Sequence, residues 1–208
     1  SLAISSMVAY IQNDYRYNEH FTVQHIPFNL NEFNQNKFND VISAFNSIQL
    51  SEIDTIALSC YIWSEYLINP LSKWLRTNGF VGKIVLGGYQ ISYSSKSNLP
   101  AEYPDADIFI LGYAEIALLD AILMDKVDGA PIFIERDVDF SLIPSPYLQK
   151  SISIDEKTPN LRIETKRGCP YKCTFCAHRE LKSNKVYHHT LDKLFAELSL
   201  FKSVNATK

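Results

Sequence analysis

Three of the four cysteines in this 208-residue chain fall within one short stretch, Arg167-Gly168-Cys169-Pro170-Tyr171-Lys172-Cys173-Thr174-Phe175-Cys176. A Cys-x-x-x-Cys-x-x-Cys spacing is poor for a disulfide framework and good for a metal centre. Thiolates spaced in this way can wrap one corner of a cubic four-iron four-sulfur cluster. Cluster irons take cysteine ligands, four in the ferredoxin type, so three cysteines leave one iron open for a substrate. A zinc site built from Cys169, Cys173, Cys176 and His178 is the other reading, because a Cys₃His set is also tetrahedral. Structural zinc sites more often pair ligands as two separated knuckles. Gly168 permits a tight turn into the loop and Pro170 stiffens it. The fourth cysteine, Cys60, ends a buried-type strand and reads as a small core hydrophobe.

The elements that must position these residues follow from hydrophobic period. Ile4, Met7, Val8, Ile11 and Tyr15 repeat at helical spacing, and Phe21–Phe28 reads as a strand. Phe38, Val41, Ile42, Phe45 and Ile48 mark a second helix, followed by the apolar strand Thr55–Ser59. A third helix, carrying Leu67, Ile68, Leu71, Trp74 and Leu75, stops at Asn78-Gly79. Strands at Lys83–Leu86 and Ile108–Leu111 come next, then a helix with Ile116, Leu119, Ile122 and Leu123 on one face. Strands alternating with helices predict βαβ units and a doubly wound α/β domain with a parallel sheet. Because the chain opens on a helix, the first strand is expected to be absent, leaving a gap in mid-sheet.

The expected division is residues 1–135 as the α/β domain, 136–158 as a linker and 159–208 as the start of a second domain. Asp137–Gln149 contains Pro144 and Pro146 and shows no period, hence the linker. Leu161–Thr165 reads as a strand running into the cysteine loop. Thr190 caps a helix whose apolar face is Leu191, Leu194, Phe195, Leu198 and Phe201. The formal net charge of −3 is spread without a basic run, so nothing suggests nucleic acid or an anionic membrane as partner. No apolar segment is long enough to span a bilayer. Clustered thiolates survive best in a reducing compartment, and cytoplasm is the expected location.

Open α/β sheets bind ligands beyond the carboxyl ends of their strands. Those ends carry Ser59-Cys60-Tyr61-Ile62-Trp63, Gly87-Gly88-Tyr89 and Gly112-Tyr113-Ala114-Glu115. Glycines at two successive strand ends let a flat or phosphate-bearing ligand approach the backbone. The candidate cofactor contacts are therefore Ser59, Tyr61, Trp63, Gly87, Gly88, Tyr89, Gly112 and Glu115. A bare βα turn also favours glycine, which leaves a cofactor-free scaffold open.

The strand, the Arg167-Gly168 turn and the cysteine loop with Phe175 before its last cysteine together resemble the radical S-adenosylmethionine (SAM) superfamily. Preceded by an α/β domain and the linker Leu142-Ile143-Pro144-Ser145-Pro146-Tyr147-Leu148, the order is similar to the cobalamin-binding subgroup. That resemblance implies a flavodoxin-like cobalamin-binding domain, then the first strand–loop–helix unit of a partial TIM barrel. It implies a [4Fe–4S] cluster on Cys169, Cys173 and Cys176, SAM on the open iron, and Phe175 near the SAM adenine. Reductive cleavage of SAM to a 5′-deoxyadenosyl radical would then serve a transferase, with methyl transfer through cobalamin the leading guess. An external one-electron reductant and a small-molecule or peptide substrate are the implied partners; catalytic side chains are not assigned. Two departures stand out. The family's Gly-Glu-Gly-Glu turn is Gly112-Tyr113-Ala114-Glu115 here, and no Asp-x-His-x-x-Gly is present to supply a lower cobalt ligand.

A radical SAM barrel needs further strand–helix units beyond Lys208, so the chain reads as a fragment of a longer enzyme, or one completed by a partner. It is not expected to turn over by itself. The competing functions are an α/β module that has lost its cofactor and serves in recognition, and a zinc-dependent interaction protein.

Overall fold

The computed structural model describes residues 2–28, 37–45, 48–126, 129–154, 158, 160–176 and 185–204. The chain forms two compact units, Gln24–Asp137 and a second made of Ser1–Val23 with Val138–Lys208.

The unit Gln24–Asp137 is an α/β layer structure. Its helices α2 (Lys37–Phe45), α3 (Glu65–Thr77), α4 (Tyr89–Tyr93), α5 (Leu99–Glu102) and α6 (Glu115–Leu123) surround four strands. These are β1 (Thr55–Ser59), β2 (Lys83–Gly87), β3 (Ile108–Leu111) and β4 (Ile132–Glu135), all parallel and in the order β1-β2-β3-β4. Continuous apolar runs make this possible: every residue of β3 is buried, as are the first four of β2. Side chains alternate between two cores, as a strand period of two dictates. Ile84, Leu86, Phe109 and Leu111 pack with Leu67, Leu71 and Leu75 of α3 and Val41 and Phe45 of α2. Val85, Ile108, Ile110 and Ile134 pack on the other face with Ala117 and Ala121 of α6. Helices thus cover both faces, consistent with a doubly wound domain.

Lys83 is buried at the start of β2, and its ammonium donates to the carbonyls of Ile122 and Met124 at the end of α6. A cation at the negative end of a helix satisfies carbonyls the helix cannot bond itself. At the same end of the sheet Arg76 donates to the carbonyls of Phe80, Gly82 and Asp105 and to the Asp107 carboxylate at 2.5 Å.

Several expectations are corrected here. No gap divides the sheet among the described residues: β1 pairs with β2 along its whole length, from Thr55↔Lys83 to Ser59↔Gly87. The strand expected at Phe21–Phe28 is reduced to an isolated bridge between Tyr17 and Phe21. Alternating side chains there find no ladder partner among the described residues, and an unpaired strand has no backbone bonds to hold it. Among the described residues, β1 is therefore an edge of the sheet. The fourth strand, β4, had no counterpart in the expected elements.

In the other unit, α1 (Leu2–Gln12) joins the C-terminal segment, with Gln12 and Asn13 hydrogen-bonded to Ser151 and Gln149. The expected division had placed this helix within 1–135. The strand expected at Leu161–Thr165 lies further on, as β5 (Lys166–Gly168), antiparallel to β6 (Val186–His188). Its partner strand is only three residues long, with Lys166↔His188 the first matched pair, and beyond it a single bond from the His189 amide reaches the Thr165 carbonyl. After β6 comes α7 (Leu191–Ser203), capped as expected by the Thr190 hydroxyl accepting from the Lys193 amide. In the segment expected as a linker, Val138, Phe140, Ile143 and Tyr147 are buried. Its prolines break periodicity, yet Ile143 and Tyr147 on either side of them are buried. Among the described residues, no helix is long and apolar enough to cross a membrane.

Candidate functional site

The first candidate region lies at the carboxyl ends of β1, β2 and β3. Ser64 shapes the turn after β1: its hydroxyl accepts from the Tyr61 amide at 3.0 Å and donates to the Ser59 carbonyl at 2.9 Å. That turn presents Tyr61 and Trp63 as a stacked pair, ring centres 4.9 Å apart and planes 2° from parallel. Trp63 is 59% exposed beside the exposed Ile62, an uncommon display of apolar surface. After β2, Cys60 donates its amide to the Gly87 carbonyl at 2.7 Å and accepts from the Gln90 amide at 3.2 Å. Gly88 takes φ +105 in this cross-link, and a β-carbon there would lie 2.7 Å from the Cys60 carbonyl oxygen. Glycine is therefore required by strain and by space. Tyr89 packs against Tyr93 with ring centres 4.3 Å apart and planes tilted by 33°. After β3, the Gly112 amide donates to the Ser92 hydroxyl at 3.0 Å.

Topology thus brings Ser59, Tyr61, Trp63, Gly87, Gly88, Tyr89 and Gly112 to one edge of one sheet. Glu115 differs: it is buried in the first turn of α6, so it is not displayed as an open-site contact. One feature of this edge was not foreseen. The Cys60 thiol, fully buried, lies 3.5 Å from the Tyr103 hydroxyl, which donates to Glu65 at 3.3 Å. Gln90 holds the other Glu65 oxygen at 2.8 Å. Burial pushes the Cys60 thiol up and the Tyr103 phenol further up, so both remain protonated. Tyr103 lies just after the short helix α5, which gives no sequence signal.

The second candidate region is the cysteine loop. Cys169, Cys173 and Cys176 are free thiols, Cys173 exposed and the other two half-buried. The Cys176 amide donates to the Cys173 carbonyl at 3.0 Å, which curls the loop. Phe175 and Tyr171 are 91% and 70% exposed. Gly168 takes φ +101, with the Lys185 carbonyl filling the place of a β-carbon. Among the described residues, no three His, Cys, Asp or Glu side chains gather closely enough to hold one metal ion. His178, the fourth ligand in the zinc reading, lies outside the described residues. The donor type is that of a cluster: three uncrosslinked thiols on one loop, and cysteine thiolates are what cluster irons take.

Beneath the loop lies an ionic group that spacing did not reveal. Arg167 donates to both Glu164 oxygens, each at 2.7 Å, and its guanidinium sits 4.7 Å from the centre of the Phe140 ring. His189, 6% exposed, places Nε2 3.2 Å from Glu164 and Nδ1 3.2 Å from the Phe140 carbonyl. Burial pushes the Glu164 carboxyl up, but hydrogen bonds from His189 and Arg167 outweigh it and hold it down at about 2.

No family model matches the chain. It is 28% identical over 150 residues to the cobalamin-dependent radical SAM methyltransferase TokK of Streptomyces tokunonensis, covering 60% of this chain and 22% of that protein. It is 25% identical over 154 residues to the 2-(S-pantetheinyl)-carbapenam-3-carboxylate methyltransferase of Streptantibioticus cattleyicolor, covering 61% of this chain and 22% of that protein. The chain therefore spans about a fifth of the length of the curated relatives it matches. Both relatives are methyltransferases by name, and TokK is a radical SAM methyltransferase.

Proposed function

We propose that this chain carries the cluster-binding end of a radical SAM enzyme, with Cys169, Cys173 and Cys176 as ligands to a [4Fe–4S] cluster. The observation that carries the reading is the loop itself: three free thiols at this spacing, starting directly from a strand end fixed by Gly168 and Arg167. When bound, the cluster would supply the electron for reductive cleavage of SAM. In this reading the chain's residues have defined tasks. Gly168 turns the backbone out of β5, and the Cys173–Cys176 turn sets the spacing of the last two thiols. Phe175 offers an exposed ring against which the SAM adenine could stack. The test is anaerobic addition of SAM to the reconstituted, dithionite-reduced chain, followed by EPR spectroscopy of the cluster. A change in the cluster signal that depends on all three cysteines is expected; an unchanged signal from a fully loaded protein would overturn the SAM assignment.

The names of the two relatives favour methyl transfer, and that of TokK favours cobalamin as the carrier. In this reading the Tyr61–Trp63 pair, Gly87, Gly88, Tyr89 and Gly112 form the face that a corrin would approach. Hydroxocobalamin binding, read as a shift in its visible spectrum and weakened in Trp63→Ala, is the expected result. Identical spectra with and without protein would assign the face to scaffolding. A small-molecule or peptide substrate and an external one-electron reductant complete the proposal.

A further inference from the structure

We propose that Glu164 is a positioning residue for the cysteine loop, acting through Arg167 and His189; the inference rests on the cluster reading above. Arg167 stands two residues before Cys169, so its orientation sets the direction in which the first thiol leaves β5. Three contacts fix that orientation. The Glu164 carboxylate takes the guanidinium in a two-point bond, 2.7 Å on each side. The Phe140 ring covers the guanidinium face at 4.7 Å. His189 then holds the same carboxylate from the opposite strand at 3.2 Å. A planar guanidinium bound at two points and stacked on a ring has little rotational freedom left, which a single-point ammonium contact would not achieve.

The histidine is itself fixed. The carboxylate faces Nε2, while Nδ1 lies 3.2 Å from both the Phe140 carbonyl and Lys193 Nζ, so the ring is held on both sides. Lys193 donates to the Ile143 carbonyl at 3.2 Å. The His189 amide donates to the Thr165 carbonyl at 3.2 Å, extending the β5–β6 pairing towards Glu164. The buried segment around Phe140 and Ile143, the β-pair and α7 thus converge on one carboxylate. The thiols follow directly on this assembly, and Cys173 is exposed, so the stem is the part of the loop's surroundings with fixed contacts among the described residues. Groups that orient ligands without touching the metal are worth roughly 10–100-fold in metal retention.

The experiment uses the 208-residue chain reconstituted with iron and sulfide under argon. Iron release to bathophenanthroline is followed at 520 nm for wild type, Glu164→Gln and Arg167→Lys. His189→Gln is a second entry into the same network should Glu164→Gln fold poorly. Arg76→Lys, an ionic anchor in the other unit, controls for general loss of stability. Expected is release about tenfold faster in Glu164→Gln and Arg167→Lys, with Arg76→Lys at the wild-type rate even where its melting temperature falls equally. Wild-type release rates in the Glu164, Arg167 and His189 variants of a loaded protein would refute the positioning role and leave the cluster reading standing. Equal acceleration in Arg76→Lys would also refute it, by tracing the effect to stability. A wild-type chain that takes up no iron would instead overturn the cluster reading beneath it.

Discussion

Replacing Glu164 by Gln should cost the chain stability at neutral pH and much less in acid. Its carboxyl is held at about 2 against an ordinary 4.5, with burial opposing and the His189 and Arg167 bonds producing the shift. At 1.36 kcal/mol per unit, the ionised form would be worth about 3 kcal/mol. The side chain is 27% exposed, and solvent screening reduces that to about 2 kcal/mol. The sign follows from linkage. A carboxyl with a depressed folded value gives stability that is complete above the unfolded value, near 4.5, and is lost as pH falls towards 2. Urea unfolding of the metal-free chain, wild type against Glu164→Gln, measures this directly at pH 7, 5 and 3. The gap should be about 2 kcal/mol at pH 7, nearly the same at pH 5, and less than half of that at pH 3. A gap that stays constant across this range would refute the reasoning, because it would assign the effect to shape rather than to charge.

Two other perturbations follow from the strand ends. Gly88→Ala forces a β-carbon to within 2.7 Å of the Cys60 carbonyl at φ +105, and should destabilise the chain by about 2–3 kcal/mol in a thermal melt. An unchanged melt would mean that the cross-link between the β1 and β2 turns can open freely. Iodoacetamide should label Cys169, Cys173 and Cys176 rapidly in the metal-free native chain and leave Cys60 unlabelled, since Cys60 is fully buried and its thiol is held protonated. Mass spectrometry of the labelled peptides reads the pattern, and early labelling of Cys60 would contradict its place in the core.

What could be read from the sequence was whatever one short segment encodes. Ile84–Leu86 and Ile108–Leu111 are apolar without interruption because these parallel strands are buried on both faces, Thr55–Ser59 keeps an apolar centre at the sheet edge, and each forms a strand where expected. Thr190 marks its helix for a similarly local reason. Phe21–Phe28 shows strand-like alternation, yet a strand exists only through its neighbour, and pairing is not written in the segment. The prolines at 144 and 146 hid the burial of Phe140, Ile143 and Tyr147, because packing there does not follow a regular period. At the candidate site, three thiols close in sequence announce themselves. The carboxylate that braces them does not: Glu164 and His189 are 25 residues apart, and only the β5–β6 pairing brings them to 3.2 Å. Glu65, Tyr103 and Cys60 were likewise invisible as a group, since three separate elements supply them.

The central claim is the cluster on the cysteine loop, and metal content tests it most directly. The chain and its Cys173→Ala variant would be reconstituted anaerobically with iron and sulfide, desalted, and analysed for iron, sulfide and zinc alongside their visible spectra. About four irons and four sulfides per chain with a brown chromophore, both lost in Cys173→Ala, is the predicted result. One zinc per chain with no colour and no sulfide would contradict it.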